Sequence, residues 1–431
     1  MTAETQTPAW PIWKKIIFRF FFAYLILQTA PWTWFDSIPG VEYVTRYYYQ
    51  FMDWLVNLAN AKIFHVRPVL VPVNGSGDTS YGWTQVWLFV SLAAIGCLIW
   101  SILDRKRRAY AQLNYWLCIF TRYYICTFAF LYGILKLFAM QMIFPSLHQL
   151  ATPLGDLLPM RFSWLFIGYS TQYQVFSGIA EVLAGLLLLN RRTATLGVLV
   201  ATAVFTNVMM LNMSYDIPVK IFSAQLVLCC LYLLANESGR LWNFFILNKP
   251  APVSHIYDFG YSKKWTRIGR IAAKAVFIII AVGMQIYGDI GYYKDFHKAA
   301  DKQPVKNGVY EVTVYQLNQK NIPLSLSDSV RWQDAIFEDG YGSIKTTDTL
   351  FRHRYGRGYF SYMTDKKMPG TLWFKNNKKD SLAFRLEMPD TSTIRLWGKE
   401  NKDSLYVELK RVKRHFQLAE RQFHWLSEYN R

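Results

Sequence analysis

Acidic residues are scarce in this chain of 431 residues: 29 Asp and Glu stand against 48 Lys and Arg, a formal charge of +19. Cysteine is scarcer still, with five in all and none after Cys230. Cys97, Cys118, Cys126, Cys229 and Cys230 all lie in long apolar runs, which implies no disulfide framework. The absence of a Cys-x-x-Cys pair at the edge of a run argues against a thiol–disulfide enzyme, and adjacent Cys229 and Cys230 read as packing. Also missing are a Gly-rich phosphate loop, a dinucleotide fingerprint, a His-Glu-x-x-His and a Gly-x-Ser-x-Gly turn. No histidine falls inside an apolar run, so haem has no histidine ligand there. His65 and His148 stand in connections without a partner at ligand spacing, and no bound metal is expected. Anionic lipid headgroups account for the basic turns between apolar runs, so no nucleic-acid partner is expected.

What the chain has in plenty is apolar residues, 52% hydrophobic and 17% aromatic, unevenly placed. Nearly all long apolar runs precede residue 295, and the remainder alternates in short stretches. Measured against the roughly 20 residues a helix needs to cross a bilayer, spans are expected near 14–31, 86–103, 117–144, 172–190, 193–213, 218–236 and 271–291. Arg19 lies inside the first and is expected to snorkel to the headgroups. Four regions follow: 1–116, two spans and an outer interfacial helix; 117–236, a four-helix core; 237–295, a cytoplasmic connection and seventh span; and 296–431, a β-domain.

Lys14, Lys15, the turn at 104–108, Arg191, Arg192 and the basic stretch from Arg240 to Arg270 alternate onto one face, which marks it as cytoplasmic. The opposite connections, 32–85, 145–171 and 214–217, carry only Arg46, Lys62, Arg67 and Arg161. Seven spans then place the N-terminus in the cytoplasm and the β-domain outside a bacterial inner membrane, in the periplasm. Within 32–85, apolar residues from Val41 to Ala59 recur at helical spacing, an interfacial helix that either seals the bundle or acts as a lid over a site.

Polar groups inside spans are costly in lipid unless paired, hydrated or functional. Lys136, Glu181, Asn207, Asn212 and Gln225, with Asp216 and Lys220 at the turn and Gln172 at the start of a span, all fall in the outer half of the bilayer or at its edge. They are expected to line one outward-facing pocket, in which Lys136 is either a catalytic base or the buried partner of Glu181.

The stretch 129–236 resembles the four-helix core of the DoxX/DoxD-like membrane family. The matching features are Gly133-x-x-Lys136 with Pro145, the glutamate-to-glycine stretch 181–185, Arg191-Arg192-Thr193 and the Asn-bearing fifth span. The whole arrangement, ending in FHWLSEYNR, is similar to long DoxX-like proteins of Bacteroidota. The resemblance implies an association with quinone reduction linked to sulfur-compound oxidation, or with oxidative-stress defence. A more distant likeness to the membrane part of vitamin K-dependent carboxylase implies a base role for Lys136, with Glu181 beside it.

Strands are expected at 308–317, 332–338, 341–347, 349–355, 359–363, 371–374, 381–387, 393–397 and 404–410, with turns every eight to twelve residues. NNKKDSLAFRLEM at 376–388 echoes ENKDSLYVELKR at 400–411, which supports hairpin pairing. The fold class is therefore a membrane α-helical bundle of about seven transmembrane helices plus a small antiparallel, lipocalin-like barrel, either filled by side chains or holding one apolar ligand. Phe423 and Trp425 are expected to pack on the barrel wall or plug one end, with Arg421 and Glu428 toward water. Two function classes remain: a membrane oxidoreductase subunit handling a quinone or other lipid-soluble molecule, and a non-enzymatic envelope protein whose β-domain binds a lipid or a protein partner.

Overall fold

The computed structural model describes residues 9–426 except 35, 37, 39, 76, 253–263, 301–302, 325–330, 347–351, 365–367, 369, 376–380, 401–402 and 422. The chain forms two compact units, one of Met1–Leu137 and Val175–Ile286, the other of Phe138–Gln174 and Tyr287–Arg431.

The first unit is the membrane bundle. Helix α1 (Ile12–Thr29) is bracketed by Pro11 and Pro31 and ends where Ala30 turns left-handed at φ +36°. An amphipathic α2 (Glu42–Ala59) follows, burying Thr45, Met52, Val56 and Ala59 and exposing Tyr43, Tyr47 and Trp54. Next come α3 (Ser80–Leu103), capped by Thr79, and α4 (Ala111–Leu137). The connection that follows α4 belongs to the second unit and holds α5 (Leu147–Leu150) and α6 (Pro159–Tyr169). The chain re-enters the bundle as α7 (Thr171–Leu189), α8 (Ala194–Ser214) and α9 (Lys220–Asn236). α10 (Ser238–Phe245) bends 76° from α9. α11 (Lys264–Ile278) and α12 (Gln285–Ala300) join through a π turn, and from Tyr287 on α12 belongs to the second unit. Among the described residues, six helices are long and apolar enough to span a membrane, seven if the bent α9–α10 pair counts as one span, which makes this a multi-pass membrane protein. The third span stops at Leu137, short of the expected 144.

Arg19 is a correction to the sequence reading. It is buried at 4% exposure, and its guanidinium donates to Tyr110 Oη (2.8 and 3.0 Å), Ser101 Oγ (2.8 Å) and the Asp104 carbonyl (3.0 Å). Tyr110 in turn donates to Asp104 Oδ2 at 2.9 Å. With acceptors from the α3 end and the next turn already in reach, the guanidinium has no need of the headgroups.

In the second unit, ten strands among the described residues form one sheet: β1 (Gly308–Leu317), β2 (Lys320–Asn321), β3 (Asp334–Glu338), β4 (Tyr341–Ile344), β5 (Arg352–Arg354), β6 (Arg357–Thr364), β7 (Thr371–Lys375), β8 (Ser381–Glu387), β9 (Thr393–Glu400) and β10 (Asp403–Val412). The order β1-β3-β4-β6-β7-β8-β9-β10 closes through antiparallel β10–β1 pairing into an eight-stranded barrel, with β2 and β5 as side hairpins. Closure leaves the ring without an open edge. The hairpin pairing expected around the 376–388 and 400–411 repeat is present as β8 with β9 and β9 with β10.

The barrel interior is filled by a side-chain core that includes Trp332, Tyr315, Phe337, Phe374 and Phe384, all nearly fully buried. Room for these rings comes from glycine. A Cβ on Gly342 would meet the Phe360 ring at 2.3 Å, and one on Gly398 would meet Phe384 at 2.5 Å. The terminal segment does not plug this core, and this too corrects the sequence reading. Phe423 and Trp425 are 74% and 91% exposed and stack edge-on to each other at 5.0 Å. The barrel already holds enough aromatic volume of its own, so added apolar side chains find no vacancy there. Arg421 is exposed as expected, and Glu428 lies outside the described residues.

Candidate functional site

Two helices of the bundle meet at unusually small residues. A Cβ on Gly178 would fall 2.7 Å from the Gly133 carbonyl, and one on Gly133 would fall 2.8 Å from Val182, so α4 and α7 touch backbone to backbone. One turn along from Gly133, Lys136 Nζ donates to Glu181 Oε1 at 2.5 Å, with both side chains buried. The pair anticipated from sequence is therefore formed. Tyr132 lies beside it, its ring 6.0 Å from Lys136 Nζ and 6.2 Å from the Phe222 ring of α9. Glu181 Oε2 is buried and meets no hydrogen-bond partner among the described residues.

The other sequence candidates do not gather around this pair. Asp216 and Lys220 form an ion pair at 2.7 Å at the start of α9, where Lys220 also lies 3.6 Å from Asp78. The Asp78 carboxylate accepts the backbone N–H groups of Lys220 and Ile221 at 2.8 and 2.9 Å, capping α9 from the turn after α2. Asn212 is buried near the end of α8, whereas Asn207 and Gln172 are exposed. Two positions from Gln172, Gln174 is buried and brackets Met142, accepting its N–H at 2.9 Å and donating to its carbonyl at 2.8 Å.

Gln225 does reach a cavity. It exchanges hydrogen bonds with Gln28 of α1, at 2.6 Å in one direction and 2.8 Å in the other. Of the two donors and two lone-pair sites each amide carries, this exchange uses one of each. The pair lines a pocket of about 570 Å³ whose other walls come from Tyr48, Met52 and Asp53 of α2, Tyr81 and Gln85 of α3, and Phe222 of α9. Amphipathic α2 thus forms one wall of a cavity as well as packing on the bundle. Lys136 and Glu181 are not among the lining residues; Phe222, which lines the pocket, has its ring 6.2 Å from that of Tyr132 beside the pair.

Gln28 escaped the sequence reading because a single amide near the end of an apolar run carries no pattern of its own. The signal available was its placement three residues before the turn at Pro31–Thr33, at the same end of the bundle as Gln225. Arg122 also escaped. It stands eleven residues inside α4, deep enough that an ionised side chain needs a reason.

A stretch of 83 residues, 19% of the chain, is 37% identical to the uncharacterized protein YwoB of Bacillus subtilis strain 168 and spans 54% of it. The chain thus spans about half the length of this curated relative. No family profile matches the chain, and no solved structure does.

Proposed function

We propose that this is a DoxX-like protein of a bacterial inner membrane, N-terminus cytoplasmic and barrel periplasmic, whose bundle binds a quinone-like ligand in the pocket beneath α2. The Gln28–Gln225 amide pair in an otherwise largely apolar cavity carries the reading. A flat ring bearing two carbonyls needs apolar walls for its faces and a few fixed donors for its oxygens. The amides supply donors, Tyr48, Tyr81 and Phe222 supply flat walls, and a pocket at the outer ends of spans admits an isoprenoid tail from the bilayer. In an oxidoreductase the chain would serve as the quinone-handling subunit, with electrons delivered by a partner protein.

Titration of a short-chain naphthoquinone into detergent-purified protein, followed by tryptophan quenching, tests this. Replacing both amides (Gln28→Leu with Gln225→Leu) avoids leaving one of them unpaired and should weaken binding roughly tenfold, the scale of one to two lost hydrogen bonds. Asn207→Leu, at an exposed position, should leave it unchanged. Equal binding by all three proteins would overturn the proposal.

A second reading, an envelope protein that binds lipid or a partner through its β-domain unit, is favoured by one observation. In that unit a cavity of about 680 Å³ lies between Leu157, Phe162 and Phe166 of the α5–α6 connection and Phe416 and Leu418 of the C-terminal segment. This groove offers that unit apolar room outside the side-chain core of the barrel. Phospholipid without quinone in extracts of the purified protein would select this reading.

A further inference from the structure

At the opposite end of α9 from Gln225 the bundle encloses a second cavity, of about 520 Å³, and its polar lining is basic. Arg122 of α4, Arg191 and Arg192 of the α7–α8 turn, and Arg240 of α10 face it, with Glu237 as the only acid among its lining residues. Four positive charges and one negative leave +3. Glu237 is itself engaged, accepting from Arg240 Nη1 at 2.5 Å. The remaining lining is mostly apolar and includes Ile119, Leu196, Val198, Leu233 and Leu234.

Three further observations indicate what such a cavity takes. Arg122 Nε is sealed from solvent and has no hydrogen-bond partner among the described residues, a costly state for a guanidinium in a membrane span. The N-terminus of the 21-residue α8 opens onto the same space through Ala194, Thr195 and Leu196. Thr193 Oγ1 donates to the carbonyls of Leu187 and Asn190 and does not cap that helix, so its first-turn amides and the positive end of its dipole face the cavity. Finally, α10 bends away from α9 and exposes Trp242, Phe244 and Phe245, aromatic side chains suited to the boundary between headgroups and acyl chains.

We propose that this cavity binds the phosphate headgroup of an anionic phospholipid from the cytoplasmic leaflet. The arginines and the α8 amides hold the phosphate oxygens, and the acyl chains run along the leucines. A zwitterionic lipid carries the same phosphate beside a compensating ammonium and is held less well. The site is independent of the quinone reading, because it shares no lining residue with the pocket beneath α2.

The test is native mass spectrometry of the full chain in detergent with added dioleoyl phosphatidylglycerol or phosphatidylcholine. Phosphatidylglycerol should be retained in preference. Arg122→Gln with Arg192→Gln should weaken that retention roughly thirtyfold, the factor given by about 1 kcal/mol for each of two basic residues. Arg105→Gln with Lys106→Gln, which removes the same charge from a different basic turn, should change it little. If the first pair does not yield folded protein, Arg192→Gln alone, at an exposed position, should weaken retention about fivefold. Equal retention of the two lipids, or equal losses in the two double variants, would overturn the proposal. Displacement of phosphatidylglycerol by millimolar inorganic phosphate would overturn the lipid assignment in favour of a soluble phosphate ligand.

Discussion

Replacing Lys136 with alanine would leave the Glu181 carboxylate buried without its counter-charge. Such a loss costs roughly 3 to 5 kcal/mol, whereas removing both charges of a buried pair is often tolerated. Lys136→Ala should therefore lower the yield of monodisperse protein in fluorescence-detected size exclusion, and adding Glu181→Gln should restore part of it. Losses that simply add would show that the two groups do not act as a unit. This pair was legible in the sequence because two ionisable groups inside neighbouring spans have few options other than each other. Asp216 and Lys220 were legible as polar, but the cap on α9 was not, since Asp78, which supplies it and pairs with Lys220, lies 142 residues from Lys220 in sequence. Gln28 was overlooked because it sits near a span end, where polar residues attract no notice, and Arg122 because no acidic partner in a neighbouring span marks it.

Among the elements, strands such as β1 and β10 could be read from alternation, because they bury alternate residues against a common core, whereas β3 and β4 bury three residues in a row. What alternation cannot convey is which other segment joins a barrel. The α5 helix lies in the barrel's unit: His148 Nδ1 is 2.8 Å from Ser343 Oγ, and Glu338 accepts the Leu147 N–H at 2.9 Å. Arg357 donates to Ser343 Oγ at 2.8 Å and to Asp334. Burial, aided by Arg357, lowers the His148 pKa to about 4, and burial, aided by Asp339, raises that of Glu338 to about 7. His148 and Glu338 lie 3.7 Å apart, but between those values both are neutral, so the contact is not an ion pair there. The stability tied to His148 is complete above its ordinary 6.5 and is lost as pH falls through 4. That tied to Glu338 is complete below its ordinary 4.5 and is lost as pH rises through 7. The two slopes oppose each other between 4.5 and 6.5. Relative to the unsubstituted chain, Glu338→Gln should lose thermal stability as pH falls across that window. His148→Gln should lose it as pH rises from 4.5 to 7. Unfolding temperatures that run parallel in all three proteins would contradict this assignment.

At the scale of the whole molecule, the split between a membrane bundle and a closed barrel was written in where the long apolar runs stop. The C-terminal segment was misjudged because apolar content shows that a segment needs cover without showing what provides it. Phe416 found its place beside the α5–α6 connection, and Phe423 and Trp425 remained exposed. Both proposed sites depend on orientation: the amide pocket must open toward the outer leaflet and the arginine cavity toward the cytoplasmic one, because only the latter leaflet is matched by the basic turns. The most direct test is therefore topological. A reporter enzyme active only in the periplasm, fused after Arg431, should be active in cells, and the same reporter fused after Pro252 should be silent. Activity after Pro252, or silence after Arg431, would contradict the account.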